Sequence, residues 1–486
     1  MSRILELSAS ELVSKIRTQE ITAEEYVNKC YERIKEVEDK IHAFITLTEN
    51  IALEKAKEID SRIRKNEKVG SLSGVAVAIK DNICINNVKT TCASKMLENF
   101  ISPYDATVIE RLRSQDAIFI GKTNMDEFAM GTSTEHSQFG PTHNPHDLDR
   151  VPGGSSGGSA ASVAALETTI SLGSDTGGSV RCPASFCGIV GMKPTYGLIS
   201  RYGLIAYANS LEQISPIARN VADLALLTEC IAGQDNKDST SIDSGTQNLK
   251  NCLVDDVSGV KIGVPEELFG MGTDEVVSKA VWEAISKLEG LGATFSKIKL
   301  ESLDYALASY YIIAMSEASS NLARYDGLRY GLRLNDENYD WSTAYSRNRD
   351  VGFGAEVKRR IMLGTFALSA GYYNEYYLKA QRVRTLIRQE LSKAFKDFDL
   401  IIGPTMPILP FRLGEKLLDP LEMYMCDVDT VIANLAGIPA ISVPCSSSQG
   451  LPIGVQMMAP ALREDVLIKV AFSLEQHLKP DLELKV

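Results

Sequence analysis

Two glycine–serine clusters, Gly153-Gly154-Ser155 and Gly177-Gly178-Ser179, frame one stretch of the chain, Val151 to Pro183. Paired glycines ahead of a serine let the backbone turn tightly and let another group come close. A serine on such a turn presents its hydroxyl beside backbone N–H donors, the arrangement that attack on a carbonyl requires. Upstream, Lys80 follows directly on the apolar run Gly74–Ile79. A lysine ending a buried strand is poorly solvated as a cation, so its pKa falls towards that of a usable base. The stretch lacks the Gly-Lys-Ser/Thr ending of a Walker loop and the G-x-G-x-x-G of a dinucleotide site. Nor is it a plain linker, because a small-residue helical segment (Ala160–Leu166), an apolar run (Thr168–Leu172) and Asp175-Thr176 lie between the clusters. It reads as an active site.

The elements that must position these residues alternate between helix and strand. Ser8-x-x-Glu11 and Thr22-x-x-Glu25 are capping boxes, and Val27, Cys30, Ile34 and Val37 form one apolar stripe after the second. A third helix is predicted over Ile51–Lys65, ending in the charged run 61–68, which is either a partner surface or a solvated face. Gly74–Ile79 reads as a strand buried on both faces. A helix (Ala106–Gln115) and a strand (Ala117–Gly121) continue the α/β pattern. Asn220 caps a helix reaching Gly233, and residues 235–256 are polar. Beyond them the pattern predicts a strand at Val260–Val264 and helices at Asp274–Leu291, Leu303–Tyr325, Val351–Tyr373 and Glu375–Phe398. A buried strand (Asp399–Pro404) and a late hairpin of Ala440–Cys445 and Ile453–Met457 across Ser446–Pro452 close the chain.

Composition narrows the class. With 44% hydrophobic and 23% charged residues among 486, this is an ordinary globular chain. Its net charge of −12 disfavours direct grip on a phosphate backbone, so nucleic acid should be held by a partner. The 9 cysteines are scattered without a C-x-x-C pair, which suits a reducing cytosol. There is no signal-peptide core and no apolar run approaching ~18 residues, so a soluble, cytoplasmic protein without membrane contact is expected. His143-x-x-His146 contains Pro145 and lacks a completing cysteine or carboxylate, so both are read as loop histidines and no metal is expected. Cys182 and Cys187 are read as packing residues.

The segments Ala78-Ile79-Lys80-Asp81-Asn82, GGSSGGS and DTGGS resemble the amidase signature family, from about residue 8 to the C-terminus. The resemblance implies an α/β fold, a single large domain over 1–486 with a central mixed β-sheet covered by helices on both faces. Within it, 1–66 would be a helical N-terminal segment, 67–232 the catalytic core, 233–258 an exposed excursion and 259–486 the second half. It also implies a Ser-Ser-Lys triad. Ser179 would be the nucleophile, Ser155 the relay, Lys80 the base, and the Gly154–Ser155 peptide cis. The N–H groups of Thr176, Gly177, Gly178 and Ser179 form the expected oxyanion hole. Asp175 either fixes that loop by hydrogen bonds or titrates, with the first favoured.

Segments 122–135, 192–197, 356–373 and 434–444 resemble one branch of the family, the glutaminase subunits of tRNA-dependent amidotransferases. That implies glutamine as substrate and ammonia passed to partner subunits B and C of a heterotrimer. No cofactor would be bound by this chain, ATP and Mg would act on the partner, and Glu-tRNA(Gln) would be held mainly there. Glutamine's carboxylate and ammonium call for an arginine and an aspartate: Arg359 or Arg360, with Asp427, and Tyr310 or Tyr311 lining the pocket. A free-standing amidase acting on another amide and a non-enzymatic anion-binding module are the competing readings. The segments at 122–135 and 356–373 oppose the first, and the ordered Lys80, Ser155, Ser179 set opposes the second.

Overall fold

Three apolar runs near the N-terminal half become neighbouring parallel strands, and their carboxyl ends carry the residues with chemistry. A computed structural model describes residues 3–245, 248–270, 272–334 and 340–486 of the chain. Residues 246 and 247 of the expected excursion lie outside the described residues. The strands are β1 (Phe44–Leu47), β2 (Ala76–Lys80), β3 (Ile118–Thr123), β4 (Ile170–Asp175), β5 (Val190–Lys193) and β6 (Gln213–Ala218). They continue as β7 (Lys261–Pro265), β8 (Thr294–Ile298), β9 (Leu400–Pro404), β10 (Ala440–Ser448) and β11 (Leu451–Met458). All eleven join in one sheet, ordered β1-β3-β2-β4-β6-β5-β10-β11-β9-β7-β8. β2 runs parallel to both β3 and β4, β7 runs parallel to β8 and β9, and the strands between these groups are antiparallel. The sheet is therefore mixed, as expected.

Helices pack around it: α1 (Ala9–Arg17), α2 (Ala23–Ile41), α3 (Glu49–Arg64), α4 (Thr107–Ser114), α5 (Gly157–Ala164), α6 (Arg181–Phe186) and α7 (Val221–Ile231). The second half adds α8 (Glu275–Gly290), α9 (Ala306–Leu322), α10 (Trp341–Gly352), α11 (Ala355–Leu368) and α12 (Lys379–Ala394). The last are α13 (Pro420–Met425), α14 (Val431–Ala436) and α15 (Glu464–His477). Ser8 forms the reciprocal capping box, Thr22 accepts from Glu25 N–H, and Asn220 caps α7 through Asp223 N–H. The stripe of α2 is buried at Val27, Cys30, Ile34 and Val37, each such chain stabilising the fold by roughly 1.5–3 kcal/mol. Among the described residues no helix is long and apolar enough to cross a membrane.

The departures from the sequence expectation have physical causes. The helix expected over Val351–Tyr373 is broken at Phe353-Gly354, because extended Gly354 N-caps α11 and gives its N–H to Glu127 Oε2 at 2.8 Å. A single π-helical turn, Asn374–Leu378, then leads into α12. The late hairpin turns at Gln449-Gly450, both at positive φ, so its strands run further than the apolar alternation indicates. β6 escaped detection because Pro216, opposite Leu172, argues against a central strand. Short strands β1, β5 and β8 carry too little alternation to be read.

Where β2 and β3 end, Lys122 Nζ lies 3.1 Å from Asp81 Oδ1, both side chains fully buried. Thr91 N–H and hydroxyl complete Asp81's ligation at 2.8 and 2.5 Å. Removing one partner of such a pair strands a buried charge. Lys122→Met is expected to lower unfolding free energy by about 3–5 kcal/mol in a denaturant titration, and a loss below about 1 kcal/mol would show that the pair is not holding the strand ends.

Candidate active site

Because β2 and β4 run parallel, Lys80 and Asp175 arrive at the same carboxyl end of the strands, where ligands of open α/β sheets sit. Lys80 is fully buried, and its Nζ lies 2.7 Å from Ser155 Oγ, 2.8 Å from Ser156 Oγ and 3.3 Å from Ser174 O. Burial brings its pKa down to about 7, against the pull of Asp126 and Asp175. Ser155 follows a cis peptide bond from Gly154 and precedes α5, a buried helix of small residues. Ser156 N–H donates to Ser179 O at 3.0 Å, which clamps the two glycine–serine clusters together. Lys80 and Ser155 are fully enclosed, whereas Ser179 retains 8% exposure and is the member an incoming molecule meets first.

The loop after β4 is built on an ion pair. Asp175 receives Gly178 N–H (2.9 Å), Val180 N–H (3.2 Å) and both Nε and Nη2 of Arg181 (3.0 Å each). Burial opposes the carboxylate's charge, but Arg181 and Asn434 outweigh it and hold its pKa at about 2. Asp175 thus organises the loop and does not titrate near neutrality. This corrects one expected oxyanion donor, since Gly178 N–H is already spent on Asp175. The N–H groups of Thr176, Gly177 and Ser179 have no partner among the described residues. The glycines are sterically required here. A Cβ on Gly177 would sit 2.3 Å from the Tyr310 hydroxyl, and Gly178 has φ +131° against Thr430.

The two arginine candidates separate. Arg359 is 40% exposed in its side chain and pairs with Glu356 from outside. Arg360 is buried, donating to Glu356 Oε1 (2.7 Å) and to the Tyr207 hydroxyl (2.9 Å) beneath the rings of Tyr311 and Tyr424. Asp427 Oδ2 accepts from the Tyr311 hydroxyl at 2.6 Å and from Thr132 at 3.1 Å. Burial raises its pKa to about 7, with Tyr311 and Arg360 opposing. Tyr310 packs against the turn at Gly177, and the Tyr311 hydroxyl donates to Asp427. A buried arginine and a buried aspartate facing one tyrosine cluster can recognise an α-amino acid's carboxylate and ammonium.

Several residues of the site escaped the sequence reading. Arg181 was visible as the one cation in the run Gly177–Phe186, six residues after Asp175. Asn434, Thr430, Glu356 and Tyr424 gave no local signal. Glu127, in segment 122–135, is buried and joins Ser94 Oγ (2.5 Å) to Gly354 N–H, so it anchors the start of the Arg360 helix. His143 and His146 bond backbone carbonyls of Leu148, Glu483 and Cys187. Cys182 and Cys187 are buried against the carbonyls of Thr132 and Pro152.

Comparison with known proteins fits this geometry. A family profile described as Amidase matches residues 25–468. The chain is 56% identical, over 97% of its length and 96% of the relative's, to the A subunit of glutamyl-tRNA(Gln) amidotransferase from Methanosarcina mazei. Against the protein of that name in Carboxydothermus hydrogenoformans it is 55% identical, covering 97% of each chain. The crystal structure of the corresponding A subunit of Thermotoga maritima superposes with a TM-score of 0.82 at 41% identity, covering 99% of both chains.

Lys80 accepts a proton only when neutral, a state that predominates above about pH 7. Labelling of Ser179 by a serine-directed fluorophosphonate should therefore rise with pH about a midpoint near 7 and collapse in Lys80→Met. A rate flat between about pH 5.5 and 9 would remove Lys80 as the base.

Proposed function

The chain belongs to the amidase family, and from that membership we propose that it is the glutamine-hydrolysing A subunit of a glutamyl-tRNA(Gln) amidotransferase. The observation that carries the chemistry is the enclosed 2.7 Å contact of Lys80 Nζ with Ser155 Oγ, one residue from the Ser156–Ser179 clamp. The identity of 52–56% to such A subunits over 96–98% of the chain supports glutamine and tRNA-linked amidation over an unrelated amide.

In this reading neutral Lys80 takes the proton of Ser155, which in turn takes that of Ser179. Ser179 Oγ attacks the side-chain amide carbon of glutamine, and charge develops on its oxygen near the open N–H groups of Thr176, Gly177 and Ser179. The proton returns through Ser155 to the departing nitrogen, ammonia leaves, and a γ-glutamyl ester remains on Ser179. Water, deprotonated along the same relay, cleaves that ester to glutamate. Arg360 holds the substrate carboxylate. Asp427, costly to ionise alone in its buried site, becomes a stable carboxylate when the substrate ammonium arrives.

Ammonia then passes to partner subunits B and C, which hold Glu-tRNA(Gln) and use ATP and Mg to activate its glutamyl carboxylate. Among the described residues no three or more His, Cys, Asp or Glu side chains are grouped to hold a metal ion. The acidic balance of −12 fits a division in which partners grip the tRNA, in the cytoplasm where translation runs.

Ser179→Ala should cut ammonia release from glutamine by more than about 10⁴-fold, and Lys80→Arg as severely, because arginine cannot give up its proton near neutrality. Near-parental activity in Lys80→Arg would replace the relay by a fixed charge. Arg360→Lys should reduce kcat/KM for glutamine about 10- to 100-fold, mainly through KM, while Arg359→Ala stays within about twofold of the parent. The reverse ranking would transfer the carboxylate site to Arg359.

A further inference from the structure

Arg360 enters the site with part of its guanidinium already committed. Nε donates to Glu356 Oε1 at 2.7 Å, and Nη1 donates to the Tyr207 hydroxyl at 2.9 Å. Nη2, with both of its N–H groups, has no partner among the described residues. A buried guanidinium with an unspent pair of donors is suited to an acceptor, and a carboxylate matches its planar fork. The two bonds already made decide where that free edge points. Glu356 lies one turn back on α11 and fixes the group near its root. Tyr207 comes from a separate segment, between β5 and β6, and fixes its far end.

The tyrosine is itself pinned at both of its main-chain polar groups. Its N–H donates to Glu212 Oε2 at 2.9 Å, and its carbonyl accepts from Asn321 Nδ2 of α9 at 3.1 Å. Ala208 N–H adds a second bond to the same Glu212 oxygen at 3.1 Å. The ring is buried and stands 5.9 Å from the guanidinium carbon of Arg360. Burial pushes the pKa of Glu212 up to about 7, with the Tyr207 N–H bond and the charge of Arg201 opposing, and Arg201 is itself paired with Asp238. What this carboxylate secures, at a desolvation cost, is the place of one tyrosine. We propose that Tyr207 is a positioning residue for glutamine: held by Glu212 and Asn321, its hydroxyl orients Arg360 so that the free Nη2 edge meets the substrate carboxylate. The inference rests on the reading of this chain as a glutaminase and adds the residue that sets how tightly the α-carboxylate is bound. The bonds of Tyr207 run to Glu212, Asn321 and Arg360 and not to Ser179, so it acts on glutamine affinity and not on bond cleavage.

The test assembles the full chain with subunits B and C encoded in the same genome and compares two reactions at Ser179. Glutamine hydrolysis needs the α-carboxylate to be held, whereas labelling by a fluorophosphonate, which carries no carboxylate, does not. Tyr207→Phe keeps the ring and loses only the hydroxyl. It should raise KM for glutamine about tenfold, with kcat and the labelling rate each within about twofold of the parent. Glu212→Gln, which leaves the turn a weaker acceptor, should raise KM about threefold in the same pattern. Added to Arg360→Lys, Tyr207→Phe should cost less than about a further twofold, because the guanidinium it orients is gone. An unchanged KM in Tyr207→Phe overturns the proposal and leaves the glutaminase reading standing, as does a full additional loss on top of Arg360→Lys. Parallel losses in kcat and labelling would make Tyr207 a general support of the site and overturn the proposal too. A parent that is labelled at Ser179 but releases no ammonia from glutamine removes the glutaminase reading and this inference together.

Discussion

The site depends on the enclosed pair of Asp175 and Arg181, neither of which has any exposed side-chain surface. Two charges this deep are tolerable only if every remaining donor and acceptor is satisfied, and here they are used to tie the chain together. Arg181 donates to Thr430 O, Gln456 Oε1 and Asn434 Oδ1, while Asn434 donates back to Asp175. One guanidinium thereby joins the loop after β4 to α14 and to β11. Its planar fork meets five acceptor atoms on four residues in fixed directions, which a lysine cannot do. Through Gly178 N–H the same network fixes the loop that follows β4.

Around that anchor the electrostatics divide into two zones. At the strand ends, burial brings the pKa of Lys80 down to about 7 beside the hydroxyls of Ser155 and Ser156. At the outer end, Arg360 stays a cation among tyrosine faces and Glu356, whose carboxylate Arg360 and Tyr424 hold below its usual range despite burial. Asp427 is held by hydrogen bonds from Tyr311 and Thr132 rather than by an ion pair.

Helix α11 links the two zones to the exterior. Glu127, adjacent to Asp126 whose N–H reaches Ser155 O at 3.3 Å, takes the N–H of Gly354, the N-cap of the helix. A carboxylate at a helix N-terminus is favoured by the dipole, although burial raises this one's pKa to about 7. The catalytic serine segment and the arginine helix are thus held through neighbouring residues of one motif, and the opposite face of that helix is left apolar and open.

The sequence by itself determined which elements carry the chemistry. The apolar run ahead of Lys80, the glycines ahead of Ser155 and Ser179, and the caps at Ser8 and Asn220 are local properties, written within a few residues, and the structure places them as read. It did not decide which donors and arginines are free to act. Gly178 N–H is consumed by Asp175, and Arg360 rather than Arg359 points inward because Tyr207 and Tyr424 enclose it. The break before α11 needs Glu127, far upstream of Gly354, and the burial of Arg181 needs Asn434, which meets Asp175 across 259 residues. Such choices depend on partners that only the closed sheet brings within hydrogen-bonding distance. A local pattern encodes a residue's backbone and solvation, and tertiary packing decides what it bonds.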